Sequence, residues 1–197
     1  MRARAVHDAI AAFDRTVPDG RERLRDRVPE PSWQIITRTK PLGWIAVEHD
    51  RHIPTAIVDL LGPAEAHNFF RSLLVQQLDS NLLRATLAAT LRLFGMSPAS
   101  LARSVPVGWD VVYRDVCRIR HRQEGAASAV LTLERIVPEV LEAPAYLASF
   151  RGFFAGFLDI CHVEGSAELT HRTGSSTAEI SLEWGPALHP GSDVPMP

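Results

Sequence analysis

Lysine is almost missing from this chain: of its 21 basic side chains only Lys40 is a lysine. The formal net charge is −2, so no basic excess draws the protein to DNA or to an acidic membrane surface. Cysteine is scarce as well. Two residues, Cys117 and Cys161, cannot build a disulfide framework. No apolar run approaches the roughly 18 residues that a membrane span requires. Residues 1–13 mix Arg, His and Asp with Ala and lack the apolar core of a signal peptide. The resulting expectation is a cytoplasmic protein whose partners are neither nucleic acid nor membrane. Motifs are absent too. There is no G-x-S-x-G, P-loop or G-x-G-x-x-G, and no C-x-x-C or H-E-x-x-H for zinc. No catalytic residue, metal ligand or cofactor is therefore assigned.

What the sequence has is apolar mass, 46% of its residues, enough for a sizeable core. Val6, Ile10 and Phe13 lie on one face of a helix over 3–15 that Pro18, Asp19 and Gly20 stop. A short charged helix over 21–27 leads to a Pro29/Pro31 loop, while 33–39 and 44–48 fit strand or helix alike. A helix over 54–61 ends at Gly62, and Pro63 starts the next, 64–78. Ser80 caps a third, 81–94, and Ser97-Pro98 opens a short one to about residue 104. From Trp109 the period changes to two: 111–122 places Val111, Tyr113, Cys117 and Ile119 opposite Arg114, Arg118, Arg120 and Arg122. Ala129, Leu131 and Leu133 give a second strand. A helix over 145–160 follows, and then a hairpin with its turn at 173–176.

Helices first and antiparallel strands later predict an α+β fold. An N-terminal helical part (1–43) is expected to precede an α+β unit over 44–186. That unit holds about four strands against a long aromatic-rich helix, and residues 187–197 form a disordered tail.

The long helix is the most informative segment. Leu147, Phe150, Phe154 and Phe157 follow three- and four-residue steps, and Tyr146 and Phe153 widen the stripe. Ser149, Gly152 and Gly156 form a small-residue seam. Each helix-internal glycine costs about 1 kcal/mol relative to alanine, and close backbone approach is the usual compensation. The seam is expected to pack on the sheet or on a second subunit. Tyr146, Phe150, Phe153, Phe154 and Phe157 are expected to line an apolar pocket, with Tyr146 supplying a hydrogen bond at its rim; ordinary core packing is the alternative for each ring. The arginine stripe reads as cross-strand pairing with Glu134, Glu168, Glu179 and Glu183 more readily than as an anion site. His67, mid-helix beside Phe69 and Phe70, is a core histidine or a haem ligand.

Several motifs carry a resemblance. Leu93-Phe94-Gly95-Met96-Ser97-Pro98, then Leu101, Pro106 and Trp109, with 125–133, 152–158 and Glu183-Trp184, resemble a myxobacterial paralogous family of uncharacterised proteins. Trp44 and Gly62 are similar too. The C-terminal part looks like the ligand-binding domain shared by 4-vinyl-reductase-type and haem–nitric-oxide-binding proteins, which implies a small-molecule sensor, often dimeric. The Tyr-x-Ser-x-Arg motif of the haem group is missing: Tyr113-Arg114-Asp115 and Tyr146-Leu147-Ala148-Ser149 do not fit it. Nor do two isolated cysteines supply the cluster of the 4-vinyl-reductase group. The resemblance thus implies a fold without haem or metal.

The function expected is a non-enzymatic small-molecule-binding or sensory module that takes a small apolar ligand. A homodimeric scaffold using Ser149, Gly152 and Gly156 as its interface is the alternative. An enzyme with an unmarked acid–base site is a third reading, in which Glu65, Asp79 and Asp159 have no visible partner.

Overall fold

The computed structural model describes residues 1–77 and 97–187. The helix expected over 81–94, its Ser80 cap and the tail from 188 onward lie outside these residues. The helices are α1 Ala3–Thr16, α2 Gly20–Arg27, α3 Glu30–Arg38, α4 Val47–Asp50, α5 His52–Leu61, α6 Pro63–Gln77 and α7 Pro98–Val112. Then come β1 Arg118–Gly125, β2 Ser128–Glu134, the short α8 Pro138–Leu141, α9 Pro144–Ile160, β3 Val163–His171 and β4 Ala178–Ala187. The architecture is the α+β arrangement expected, with a four-stranded antiparallel sheet in the order β1-β2-β4-β3.

Two apolar clusters hold the chain together. One is helical: Val6, Ile10 and Phe13 of α1 are buried with Ile36 of α3, Ile57 of α5 and Phe69 of α6, and the Phe13 and Phe69 rings meet edge-on at 5.6 Å. Residues 1–43 thus bring α1–α3 into contact with α5 and α6. The other cluster joins α7 and α9 to the sheet. Alternation along β2 and β4 turns Ala129, Leu131 and Leu133 inward with Ala178, Ile180 and Leu182, as a half-buried sheet requires.

The stretch 33–39, open between strand and helix in the sequence, falls in α3 up to Arg38, because Trp33 and Ile36 face the helical core three apart while Pro31 sits in the first turn. Two local expectations are corrected. The short helix after Ser97 runs on to Val112 through Pro106. Leu101, Val105 and Trp109, four apart and buried, outweigh the hydrogen bond that the proline removes. The strand expected from 111 therefore starts at Arg118. Tyr113 caps a helix, and Arg114 lies over the Trp44 ring at 4.3 Å. In the arginine stripe, Arg120 pairs across strands with Glu134 at 2.9 Å, and Arg122 pairs with Glu124 on its own strand at 2.5 Å.

The small-residue seam of α9 meets α6 of the same chain. A Cβ on Gly152 would lie 2.8 Å from Phe70 Cβ and 2.9 Å from His67 O; one on Gly156 would lie 2.6 Å from Arg71 O. The face expected against the sheet or a second subunit is therefore covered. Beside it the Arg71 guanidinium donates two hydrogen bonds to Asp159, at 2.6 and 2.7 Å, which gives that carboxylate its partner.

Gly156→Ala is expected to destabilise the protein by about 1–3 kcal/mol, although alanine is the better helix former, because two backbones must separate. Gly108 lies inside α7 with open space where a Cβ would stand. Gly108→Ala is expected to stabilise by about 0.5–1 kcal/mol. Urea melts of both variants check the pair, and equal effects would contradict the contact.

Candidate functional site

A pocket of about 180 Å³ lies among the helices. Val6 and Ala9 of α1, Ile53 of α5, and Phe70 and Leu74 of α6 form one side; Val105 and Trp109 of α7 and the aromatic face of α9 form the other. No strand residue lines it among the described residues. A pocket enclosed by the long helix, the sheet and the helices over 64–94 is the expectation from the sequence; the long helix and α6 do line it, and the sheet does not. The physical reason is that α9 is apolar around most of its girth. Ala155 and Leu158 are buried as fully as Phe150 and Phe154, so one face covers the sheet while another meets the helices.

Tyr146, Phe150, Phe153, Phe154 and Phe157 all line the pocket. Their rings are not loose. Phe150 meets Tyr146 edge-on at 5.2 Å, Trp109 at 5.0 Å and Tyr113 at 5.5 Å, while Tyr113 stacks on Trp109 at 3.9 Å. Trp109 Nε1 donates to Cys117 O at 3.1 Å, which fixes the indole plane against the entry to β1. Phe153 is half-buried, whereas the other four are buried. Ser149 also lines the pocket, and its hydroxyl donates to Tyr146 O at 2.6 Å.

The polar feature of the site is Asp50, at the end of α4 and fully buried. Tyr146 donates its hydroxyl to Asp50 Oδ2, a bond made 96 residues along the chain and in the interior, not at a rim. Asp50 Oδ1 has no hydrogen-bond partner among the described residues. Burial pushes the Asp50 carboxyl above its ordinary value and lowers the Met1 amino group, which donates to Ile45 O at 2.6 Å. Burial also raises both phenols, Tyr113 and Tyr146, with the Asp50 charge adding to the effect. Sequence reasoning passed over Asp50 because it sits in a run, His49-Asp50-Arg51-His52, that looks like polar surface. Trp109 and Tyr113 were hidden by the helix-to-strand misassignment.

Other candidates lie elsewhere. His67 does not line the pocket, and its buried Nδ1 has no partner among the described residues. Burial pushes the Cys117 thiol up to about 12 and Cys161 up to about 11, so neither is a ready nucleophile. Among the described residues no three His, Cys, Asp or Glu converge as metal ligands, and no helix is long and apolar enough to cross a membrane.

No family description matches this sequence, and no curated protein does. Solved structures do resemble it. An unliganded Fe(II) H-NOX protein from K. algicida has a TM-score of 0.65 at 7% identity, over 96% of this chain and 99% of that one. An oxygen-binding H-NOX domain related to soluble guanylate cyclases has a TM-score of 0.58 at 14% identity, over 95% and 96%. A mutant H-NOX of T. Tengcongensis has a TM-score of 0.56 at 13% identity, over 95% and 100%. At these identities the likeness concerns the fold alone: this chain has the H-NOX-like α+β fold.

The haem that this fold implies does not fit the residues present. Haem iron takes an axial His, Cys, Met or Tyr. The described lining has no His or Cys, and residues 78–96 contain neither, so apart from the phenols only a methionine thioether, Met1 in the lining or Met96 outside the described residues, is left. Its two phenols are pushed away from ionisation, and one is engaged by Asp50. Propionates call for cationic partners, yet the described lining holds no Arg or Lys, its Met1 amino group already donates to Ile45 O, and it presents a carboxyl group.

Tyr146→Phe keeps the ring and removes the proton donor, so it is expected to cost about 1–3 kcal/mol through an unsatisfied Asp50, read by denaturant melts. A carboxyl raised in the folded state binds more protons folded than unfolded. Its stabilising contribution is complete below the ordinary value of 3.8 and is lost as pH rises through the folded-state value. The unfolding free energy of the wild type minus that of Asp50→Asn should therefore fall as pH climbs above about 4; a difference that rises over this range contradicts the assignment.

Proposed function

We propose that the protein is a non-enzymatic small-molecule-binding module, of the kind used in sensing, whose apolar pocket works without haem. The observation that carries this reading is the pocket itself: about 180 Å³, lined by side chains from six helices and mostly apolar, with Asp50 as its buried acid. A dry apolar cavity of about 150 Å³ is known to admit a benzene-sized guest, so a ligand with one ring or a short branched chain matches the space. A porphyrin does not. Phe150, Phe154 and Phe157 from α9 supply the ligand-facing rings in this reading, with Phe153 at a more open position.

The fold likeness supports a binding role because the neighbours with this architecture are named for gas and haem chemistry. The chain would keep the shape of that chamber and fill it with aromatic side chains. The resemblance to the myxobacterial paralogous family and to 4-vinyl-reductase-type proteins is part of the same proposal and rests on the motif residues quoted above. We place the ligand-binding unit at 44–186, with α1 of the N-terminal extension closing one wall. Ser149, Gly152 and Gly156 serve contacts inside one chain in this reading, which leaves the homodimer alternative without its seam.

Two measurements test the proposal. Toluene at saturation should raise the melting temperature, since a ligand at a hundredfold excess over its Kd stabilises by about 2.7 kcal/mol. Phe154→Leu, which enlarges the pocket with least loss of packing, should increase the effect. Haemin should give no one-to-one complex with a ligated Soret band. A stable stoichiometric haem complex, or a melting temperature indifferent to every small apolar ligand, would overturn it.

A further inference from the structure

Three observations converge on one corner of the pocket. Asp50 lines it and is fully buried. Its Oδ2 accepts from Tyr146, while Oδ1 has no partner among the described residues. The wall beside it is aromatic: Tyr146 leads to Phe150 at 5.2 Å, and Phe150 to Trp109 at 5.0 Å and Tyr113 at 5.5 Å. We infer that this corner is an amine site, and that the ligand is a small organic amine whose ammonium group donates to Asp50 Oδ1 while its single-ring body fills the apolar pocket. The inference rests on the pocket reading above and names its ligand class.

A buried carboxyl with one oxygen bonded and one bare is an incomplete hydrogen-bond site. Within the protein the bare oxygen costs stability; a guest that brings an N–H removes that cost. An ammonium group does more than a neutral donor, because it brings a positive charge into hydrogen-bond contact with Asp50, where the Met1 amino group acts only from a distance. Among the described residues the lining holds no Arg, Lys or His. Met1 lines the pocket too; its amino group donates to Ile45 O and acts on Asp50 through its charge without a hydrogen bond to it. Aromatic faces add to the preference, since their negative quadrupoles favour a cation over a neutral group of the same size. Burial, which holds the carboxyl above its ordinary value in the free protein, is then offset by the incoming charge.

Tyr146 has the positioning part. Its hydroxyl spends its one proton on Oδ2, which leaves Oδ1 as the free acceptor. Ser149, one turn along α9, has already donated its proton to Tyr146 O and does not compete. Asp50 reaches this corner because α4 ends there, directly before α5 begins at His52.

Isothermal titration of the full chain near neutral pH with benzylamine, toluene, benzyl alcohol and acetophenone tests this, using wild type and Asp50→Asn. Benzylamine should bind wild type at least about tenfold more tightly than toluene, the margin a charge-assisted hydrogen bond supplies. Asp50→Asn should erase that advantage, so that the variant no longer prefers benzylamine to toluene. If toluene binds and benzylamine binds no better, the amine assignment is overturned while the apolar pocket stands. Tighter binding of acetophenone than of benzylamine overturns it too, since Asp50 would then act as a neutral donor. Failure of all four ligands removes the pocket reading and this inference with it. Should Asp50→Asn fail to fold, a wild-type crystal soaked in benzylamine decides: nitrogen at hydrogen-bond distance from Oδ1 supports the site, and nitrogen turned elsewhere refutes it.

Discussion

Backbone contact between α6 and α9 sets the position of everything around the pocket. At Gly156 the two helices are so close that a single added carbon would stand 2.6 Å from Arg71 O, and at Gly152 it would meet His67 O at 2.9 Å. Packing of this kind is obtained only by giving up side chains, at about 1 kcal/mol per helix-internal glycine. The return is a fixed inter-helix distance, locked at one end by the two-pronged Arg71–Asp159 pair. With α9 held on α6, its remaining girth is divided between the sheet and the helices. The contacts that the α9 rings make with Trp109 and Tyr113 lie on its helical side.

The pocket then poses an electrostatic problem. A carboxyl group has been brought into an apolar, ring-lined space where its ionised form is poorly solvated. Tyr146 answers half of the need. A polar group left half-satisfied in a packed interior marks a place where stability yields to another requirement, and binding is the one that fits a pocket wall. Trp109, Tyr113 and the α9 phenylalanines line the pocket, and its described wall holds no His, Arg or Lys.

Much of the fold was legible one segment at a time. The alternation in 128–134, the Thr173-Gly174 turn and the glycine-plus-phenylalanine pattern of α9 each reflect a local physical demand, and each produced the element expected. Pro106 misled, because a proline usually ends a helix; three buried residues four apart carried the helix past it. The Ser149–Gly152–Gly156 stripe announced close packing correctly without saying against what. Spacing encodes which face of a helix is small, and only the path of the chain supplies the neighbour.

Composition and periodicity by themselves determined the α+β class, the apolar character of the long helix and the absence of any marked catalytic set, because these depend on residues near one another in sequence. Tertiary structure decided where the pocket lies, that the glycine seam serves α6, and that Asp50 belongs to the site at all. The bond from Tyr146 to Asp50 spans 96 residues, and a contact of that range leaves no periodic trace. A buried acid and a surface acid are the same letter until the fold has removed the water from one of them.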